Sequence, residues 1–260
     1  MLPNETQFSH PDGRKMKFSK PHISEVDLHD RQLREKVVEL GALFHQEELG
    51  DALAEALPGM GIRRGTQGRT VKLQRNAGSG GCFPYHYDNP GSPNKRGLTC
   101  LFYLNPDWQE EHGGEMCLLP FLGREQRVEP LMDRLVIFYS DRVLHRVLPS
   151  HAERYVVTVW LDSPHVNSKE DAMLSVTKSQ LEDWIGFCQY LKTSPVQRVL
   201  SRGVYEERYE QSLRECMEGH RGYEDMLEAH HNQVARLKAN RSLCAIVSRL
   251  RETAALAEML

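Results

Sequence analysis

Hydrophobic residues change their spacing twice along the chain, and these changes divide it into three segments. Between residues 26 and 56, leucine and valine recur at helical intervals with charged residues between them, and the pattern stops at Pro58 and Gly59. Between residues 70 and 162, short runs rich in Val, Ile, Tyr and Phe alternate with clusters of Gly, Pro, Asn and Asp. After Pro164 the helical spacing returns. We therefore predict one or two amphipathic N-terminal helices, a β core and C-terminal helices.

The pattern of short strands and turns in the central segment predicts the fold class. Many short strands separated by turns are typical of a barrel or a double-sheet jelly roll, so we expect a mainly β core. We predict three parts: an N-terminal tail with supporting helices that pack on the core (residues 1–60), the β core (residues 61–165) and a C-terminal helical extension (residues 166–260).

The C-terminal extension has apolar residues at roughly helical intervals between residues 226 and 250, with many charges between them. This spacing predicts helices that pack on the barrel. A helix that contacts a partner protein or a second copy of the chain is the alternative. His230 and His231 lie within this charged stretch, and we expect them to face water.

Length and charge narrow the class of protein. At 260 residues the chain is long enough for one large domain with a helical extension. Its net charge of -3 gives no global basic field to hold a phosphate backbone, so we expect no nucleic-acid partner. The chain shows neither the apolar run of a signal peptide nor a segment long enough to span a bilayer. We expect no membrane partner and a location in the cytoplasm or nucleus.

The cysteines support the same location. They are scattered without a CxxC pair, which fits isolated thiols in a reducing compartment better than a disulfide scaffold or a structural zinc site. We therefore expect free thiols at all six positions: Cys82, Cys100, Cys117, Cys188, Cys216 and Cys244.

The stretch PYHYDNPG, residues 84–91, contains a candidate metal site. In an extended strand, residues two apart share one face, so the tips of His86 and Asp88 could bind one ion. His145, which follows the strand-like RLVIFYSD, is a candidate third ligand. Two histidines and one carboxylate form the set that holds non-haem Fe(II) with open positions. The alternatives are a surface hydrogen bond between His86 and Asp88 and a partly buried histidine at a strand end.

The strand ERYVVTVWLD places a cation among core residues. Alternation puts four side chains on one face: Arg154, Val156, Thr158 and Trp160. A guanidinium on an apolar face needs an anion, and its planar fork suits a carboxylate. The hydroxyl groups of Thr158 and of Tyr103, in LTCLFYLN, are candidate further donors to that anion. The alternative for Arg154 is an exposed strand end that pairs with Glu153 or with another surface acid.

Together, His86-x-Asp88, LTCLFYLN, GGEM, EPLMDRLVIFYSD, His145 and ERYVVTVW resemble the 2-oxoglutarate- and Fe(II)-dependent oxygenases, most closely the cytosolic, oxygen-sensing prolyl 4-hydroxylases. The resemblance covers roughly residues 70–162 and implies a double-stranded β-helix, a jelly-roll fold. It further implies that His86, Asp88 and His145 hold iron. By the same resemblance, Arg154 would bind the distal carboxylate of 2-oxoglutarate, with help from Tyr103 and Thr158.

The resemblance also implies an activity. The protein would use Fe(II), 2-oxoglutarate and O2, with ascorbate as a candidate further cofactor, to hydroxylate prolyl residues of a protein or peptide and release succinate and carbon dioxide. The same mechanism on another amino-acid residue or on a small molecule is one alternative. A non-catalytic binding module that retains the fold is the other. The identity of the substrate and the oligomeric state do not follow from the sequence.

Overall fold

The computed structural model describes residues 1–9, 15–166 and 176–259. Its strands are β1 (Leu2–Ser9), β2 (Lys15–Asp27), β3 (Arg69–Ala77), β4 (Gly81–His86), β5 (Arg96–Tyr103), β6 (Met116–Pro120), β7 (Gln126–Val128), β8 (Leu135–Tyr139), β9 (Val143–Ser150) and β10 (Glu153–Asp162). Its α-helices are α1 (Arg31–Lys36), α2 (Val38–His45), α3 (Glu48–Ala56), α4 (Lys178–Glu182), α5 (Trp184–Thr193), α6 (Gln197–Val204), α7 (Glu206–Met217), α8 (Tyr223–Ala239) and α9 (Arg241–Met259).

The strands form two antiparallel sheets. The larger sheet has six strands in the order β1-β2-β3-β10-β5-β8, and the smaller has four in the order β4-β9-β6-β7. Strands β3 and β4, and likewise β9 and β10, follow each other in sequence but belong to different sheets, as in a jelly roll. The predicted mainly β core with C-terminal helices is confirmed.

The N-terminal segment differs from its prediction. Strands β1 and β2 pair with each other, and β2 pairs with β3 from Ile23 to Asp27, so this segment extends the larger sheet. Three short helices follow, where one or two were predicted over residues 26–56. The side chain of Asp30 caps α1, and Val37, with an extended backbone (φ −129°), separates α1 from α2. The prediction of helix from residue 26 is wrong because Val26 and Asp27 pair with β3.

Alternation along β10 distributes side chains between two environments. Val156, Thr158 and Trp160 line the interior between the sheets, as predicted from their shared face. Val157 points to the other side, where it packs with Phe44 of α2. The N-terminal helices therefore cover the outer face of the larger sheet. The cluster between the sheets contains Leu101, Tyr103, Met116, Phe138 and Val156.

The predicted C-terminal helices pack on the smaller sheet. The cluster at this interface combines strand residues (Tyr85, Leu119 and Leu144) with helix residues (Phe187, Leu191, Leu200, Tyr209 and Leu250). A hydrogen bond also joins the two layers. The backbone amide of Tyr85 donates to the side-chain Oγ of Ser212 on α7 at 3.1 Å. Burial of this large apolar surface stabilises the extension against the core.

His230 contradicts the expectation that both histidines of α8 face water. Its side chain is buried and stacks on Tyr209, with 5.7 Å between ring centroids. His231 is exposed and contacts Glu210. The spacing explains the difference, because His230, Val234 and Leu237 lie on one helical face, and that face is buried.

The expectation of six free thiols is also wrong. Cys82 of β4 and Cys216 of α7 form a disulfide, with 5.3 Å between their Cα atoms. The free thiols are Cys100, Cys117, Cys188 and Cys244. The bonded pair is 134 residues apart, so local cysteine spacing could not reveal it. The bond attaches α7 to the strand that ends at His86.

Two further predictions concern segments of the chain. The predicted boundary after residue 165 meets residues 167–175, which lie outside the described residues, so the three-part division stays a prediction. Among the helices that the structure describes, none combines the length and the apolarity needed to cross a bilayer.

Candidate metal and co-substrate site

The structure brings together the three predicted metal ligands. His86 ends β4, His145 lies on the neighbouring β9, and the two residues face each other in the strand register. His86 Nε2 lies 3.5 Å from Asp88 Oδ1, and His145 Nε2 lies 3.7 Å from Asp88 Oδ2. One ligand atom from each residue lies within 4.8 Å of the other two. Asp88 reaches the cluster from the turn after β4 and not from the strand face.

The backbone fixes which nitrogen of each imidazole is available. His86 Nδ1 lies 2.8 Å from the carbonyl oxygen of Pro84, and His145 Nδ1 lies 3.1 Å from that of Val143. A carbonyl only accepts hydrogen bonds, so each Nδ1 carries the proton and donates it. In the neutral form of each imidazole, Nε2 therefore has the free lone pair, and this nitrogen faces Asp88. Metal-binding histidines are oriented in this way by a hydrogen bond to their other nitrogen.

Asp88 is held as a carboxylate. Burial alone would raise its pKa, but the adjacent His145 and His86 outweigh burial and hold the pKa of Asp88 well below its usual value. Thr99 Oγ1 donates to Asp88 Oδ2 at 2.7 Å, and Thr99 Oγ1 also lies 2.8 Å from Ser140 Oγ. Burial and the neighbouring His145 lower the pKa of His86, which favours its neutral form. The carboxylate of Asp88 and the neutral imidazole of His86 are the forms that bind a metal cation.

The turn that carries Asp88 is anchored by the next residue, Asn89. Its amide N–H donates to Ser140 O at 2.9 Å, and its side-chain Nδ2 donates to Arg96 O at 2.8 Å. Arg198 of α6 donates from Nη1 to Asn89 O at 3.1 Å. The C-terminal extension therefore supports the metal cluster directly. Sequence reasoning missed Arg198, because 109 residues separate it from Asn89 and no local motif marks it.

Arg154 lines the cavity that also contains the three candidate metal ligands, and it has no anionic partner there. Its side chain is buried, its Nε has no hydrogen-bond partner, and no carboxylate among the described residues forms an ion pair with it. The predicted alternative, a pair with Glu153, does not form, because Glu153 accepts from Arg75 Nε at 2.9 Å. Gly114 makes room, since a Cβ there would lie 2.8 Å from Arg154 Cδ. Burial lowers the pKa of Arg154, as expected for a guanidinium without an ion-pair partner.

Thr158 and Tyr103 occupy different positions around Arg154. Thr158 is buried and lines the cavity with Arg154. Tyr103 lies beneath the guanidinium, with 5.0 Å from the Arg154 Cζ to the ring centroid. Its hydroxyl lies 3.8 Å from Met116 Sδ. Burial raises the pKa of Tyr103, so this hydroxyl keeps its proton and remains a donor.

One cavity of about 1170 Å³ contains both the metal cluster and Arg154. His86 is the most open ligand, with 36% of its side chain exposed, whereas His145 is 3% exposed. Three ligands on one side leave space for a bound molecule on the other. The cluster and the unpaired guanidinium therefore fit a divalent metal together with a molecule that carries a carboxylate. A jelly roll with such a centre is typical of mononuclear non-haem iron proteins.

Comparisons with known proteins place the chain more narrowly. The 2OG-Fe(II) oxygenase superfamily profile matches residues 71–162. Mouse prolyl hydroxylase EGLN3 is 44% identical over 87 residues, which cover 32% of this chain and 36% of that protein. Human Egl nine homolog 1 is 41% identical over 86 residues, which cover 32% of this chain and 20% of that protein. The chain thus matches about a third or less of the length of these curated relatives.

A solved structure matches most of the chain. A prolyl 4-hydroxylase from Phytophthora capsici is 56% identical, with a TM-score of 0.82, and the match covers 89% of this chain and 77% of that one. The chain belongs to the 2-oxoglutarate- and Fe(II)-dependent oxygenase superfamily. The predicted family is confirmed.

Loss of either histidine should remove metal binding without unfolding the protein. We expect His86→Ala and His145→Ala to lose more than the roughly 10–100-fold in metal affinity that follows loss of an outer hydrogen-bond partner. Equilibrium dialysis with Mn(II) measures the affinity, and circular dichroism checks the fold. His231→Ala, an exposed histidine outside the cluster, is the control. Unchanged affinity in both cluster variants would exclude this metal site.

Arg198→Ala should weaken metal binding from outside the cluster. Without the hydrogen bond to Asn89 O, the turn that carries Asp88 loses an anchor, and we expect a loss of about tenfold in Mn(II) affinity. Arg198→Lys should rescue part of it, because an ammonium can still donate to one carbonyl. Wild-type affinity in a folded Arg198→Ala protein would show that α6 does not support the metal site.

Proposed function

We propose that the protein is a 2-oxoglutarate- and Fe(II)-dependent dioxygenase that hydroxylates prolyl residues of a protein substrate. The observation that carries the proposal is the presence of His86, Asp88, His145 and the unpaired Arg154 in one cavity. The identity of 56% to a prolyl 4-hydroxylase across most of the chain supports the choice of proline. In the overall reaction, substrate, 2-oxoglutarate and O2 give hydroxylated substrate, succinate and CO2.

The metal cluster supplies the reactive centre in this proposal. Fe(II), held by His86, Asp88 and His145, would supply the oxygen activation that is coupled to decarboxylation of 2-oxoglutarate. The protein contributes positioning. The hydrogen bonds of the two Nδ1 atoms and of Thr99 fix the three ligand atoms before a metal binds. The side chains therefore lose little conformational freedom when the metal binds.

Arg154 would hold the other end of 2-oxoglutarate. Its fork can donate two parallel charge-assisted hydrogen bonds to the distal carboxylate, with hydroxyl donors from Thr158 and Tyr103. Apolar side chains that line the cavity would cover the methylene groups of the co-substrate: Leu101, Met116 and Val156. A dicarboxylate would thus neutralise the buried guanidinium with one end and reach the metal with the other.

The walls of the cavity favour a macromolecular substrate over a small molecule. Residues from the N-terminal strands and from the C-terminal helices line the cavity, including Thr6, Glu25, Val199 and Gln233. An extended protein segment would contact both regions. The intact cluster and Arg154 speak against a non-catalytic binding module.

Other sequence predictions remain proposals. We expect ascorbate to support turnover, and we expect the cytoplasm or nucleus as location, with neither nucleic acid nor membrane as partner. The Cys82–Cys216 disulfide removes one of the two arguments for a reducing compartment. Omission of ascorbate from the assay below tests the first expectation.

The activity is tested by product analysis. The purified protein is incubated with Fe(II), 2-oxoglutarate and a pool of proline-containing peptides, and succinate and peptide masses are measured. We expect succinate release and a gain of one oxygen atom on proline-containing peptides, both absent in His86→Ala. An oxygen gain on another residue type would support the alternative substrate class. No succinate from metal-loaded wild-type protein would contradict the proposed activity.

Arg154 separates this mechanism from a generic metal site. We expect Arg154→Ala to weaken 2-oxoglutarate binding by about 2–5 kcal/mol, a factor of roughly thirty to several thousand, while Mn(II) affinity stays near wild type. Arg154→Lys should rescue only part, because an ammonium lacks the planar fork. Calorimetric titration of 2-oxoglutarate into Mn(II)-loaded protein measures the effect.

The matched control is Arg75→Ala, on the neighbouring strand β3, where the guanidinium pairs with Glu153 at the surface. This variant should bind 2-oxoglutarate like the wild type. If Arg154→Ala binds it as tightly as Arg75→Ala does, Arg154 is not the carboxylate partner.

A further inference from the structure

The cavity wall is strongly basic although the chain is not. The described residues that line the cavity include seven lysine and arginine side chains but only three carboxylates. The whole chain has 33 basic and 36 acidic residues. Two of the three carboxylates are paired, because Glu25 contacts Lys72 Nζ at 2.6 Å and Glu5 contacts Lys17. The third is Asp88 of the metal cluster.

Some of these cations have tasks near the metal cluster. Arg154 is the proposed partner of the co-substrate. Arg96 lies 3.9 Å above the ring of Trp160 and donates to Asp88 O at 3.3 Å. Arg198 holds Asn89. Three cations on the wall remain, and no carboxylate among the described residues forms an ion pair with them: Lys20, Arg202 and Arg236.

Arg202, on α6, is positioned by its surroundings. Its guanidinium carbon lies 4.0 Å from the ring centroid of Tyr209, and its Nη1 lies 3.5 Å from His230 Nδ1. Burial and the nearby Arg202 lower the pKa of His230 to about 4, so this imidazole is neutral near pH 7 and accepts from the guanidinium. A cation that is stacked on an aromatic ring loses little freedom when it binds an anion.

Arg236 and Lys20 add positive charge from two other elements. Arg236 lies on α8, is exposed, and lines the cavity together with Gln233 of the same helix. Lys20 of β2 has its ammonium 4.1 Å above the ring of Phe83. Burial lowers the pKa of Lys20 to about 8, so most of it is charged at neutral pH. In the proposed function the metal and Arg154 would bind the two carboxylates of 2-oxoglutarate, so these cations would be available for the substrate.

We propose that the cavity selects a protein segment with aspartate or glutamate side chains close to the target residue, and that Arg202, Arg236 and Lys20 contact those carboxylates. The inference rests on the proposed function, in which the substrate is a protein and 2-oxoglutarate occupies the metal and Arg154. Complementary charge of this kind raises association rates and discriminates between partners. A single-stranded nucleic acid would meet the same cations, and the test includes it as a competing occupant.

The test measures binding instead of turnover. Protein loaded with Mn(II) and 2-oxoglutarate is titrated into two labelled peptide pools, each with a fixed central proline. In the first pool the flanking positions contain Asp and Glu among small residues, and in the second every acid is replaced by its amide. Fluorescence anisotropy at low and high salt gives the affinity for each pool, and a labelled single-stranded oligonucleotide is titrated in parallel.

We expect the acidic pool to bind at least about tenfold more tightly at low salt, with a smaller preference at high salt. Arg202→Gln, Arg236→Gln and Lys20→Gln should each reduce the preference by about three- to tenfold. Lys192→Gln removes one positive charge from an exposed position of α5 outside the cavity, and it should leave the preference unchanged.

Equal binding of the two pools, or no binding of either, would overturn the inference. So would tighter binding of the oligonucleotide, or an equal loss of preference in Lys192→Gln. If the acidic pool is preferred through these three cations but no peptide gains an oxygen atom, the proposed function fails and the charge selection stands.

Discussion

The buried guanidinium of Arg154 is the constraint on which the rest of the site depends. A charge removed from water is stable only beside an anion, and the described part of the chain pairs no carboxylate with it. Glu153, its neighbour in sequence, points away to Arg75. We infer that a ligand in the cavity supplies the anion. Because the same cavity contains His86, Asp88 and His145, a ligand with a carboxylate at one end and a metal-binding group at the other satisfies both demands.

The C-terminal extension supports the chemistry as well as the fold. Helix α7 is joined to β4 by the Cys82–Cys216 disulfide and by the bond from Tyr85 to Ser212, and β4 ends at His86. Helix α6 holds the turn of Asp88 through Arg198. The helices thus support the positions of two candidate metal ligands, His86 and Asp88. They also supply three of the seven cations of the cavity wall, so in our proposal the same extension would serve both the metal site and substrate selection.

Sequence reasoning found the groups whose chemistry is local and missed those that depend on distant contacts. Strand alternation placed Arg154 and Thr158 in one interior, and the two-residue spacing paired His86 with Asp88, although Asp88 lies after the end of β4. Three other features were missed. The Cys82–Cys216 bond spans 134 residues, and Arg198 lies 109 residues from Asn89. The last two residues of β2, Val26 and Asp27, were predicted as helix, which is wrong because pairing with β3 overrides local propensity. His230 was different, because its spacing to Val234 and Leu237 could have shown that it is buried.

A crystal structure of the protein grown with Mn(II) and 2-oxoglutarate tests the site most directly. We expect one metal ion bound by His86 Nε2, Asp88 and His145 Nε2, with the keto-acid end of 2-oxoglutarate on the metal. We expect its distal carboxylate within hydrogen-bonding distance of both terminal nitrogens of Arg154. A metal bound elsewhere, or a distal carboxylate that faces away from Arg154, would contradict the assignment of this cavity as the site of co-substrate binding.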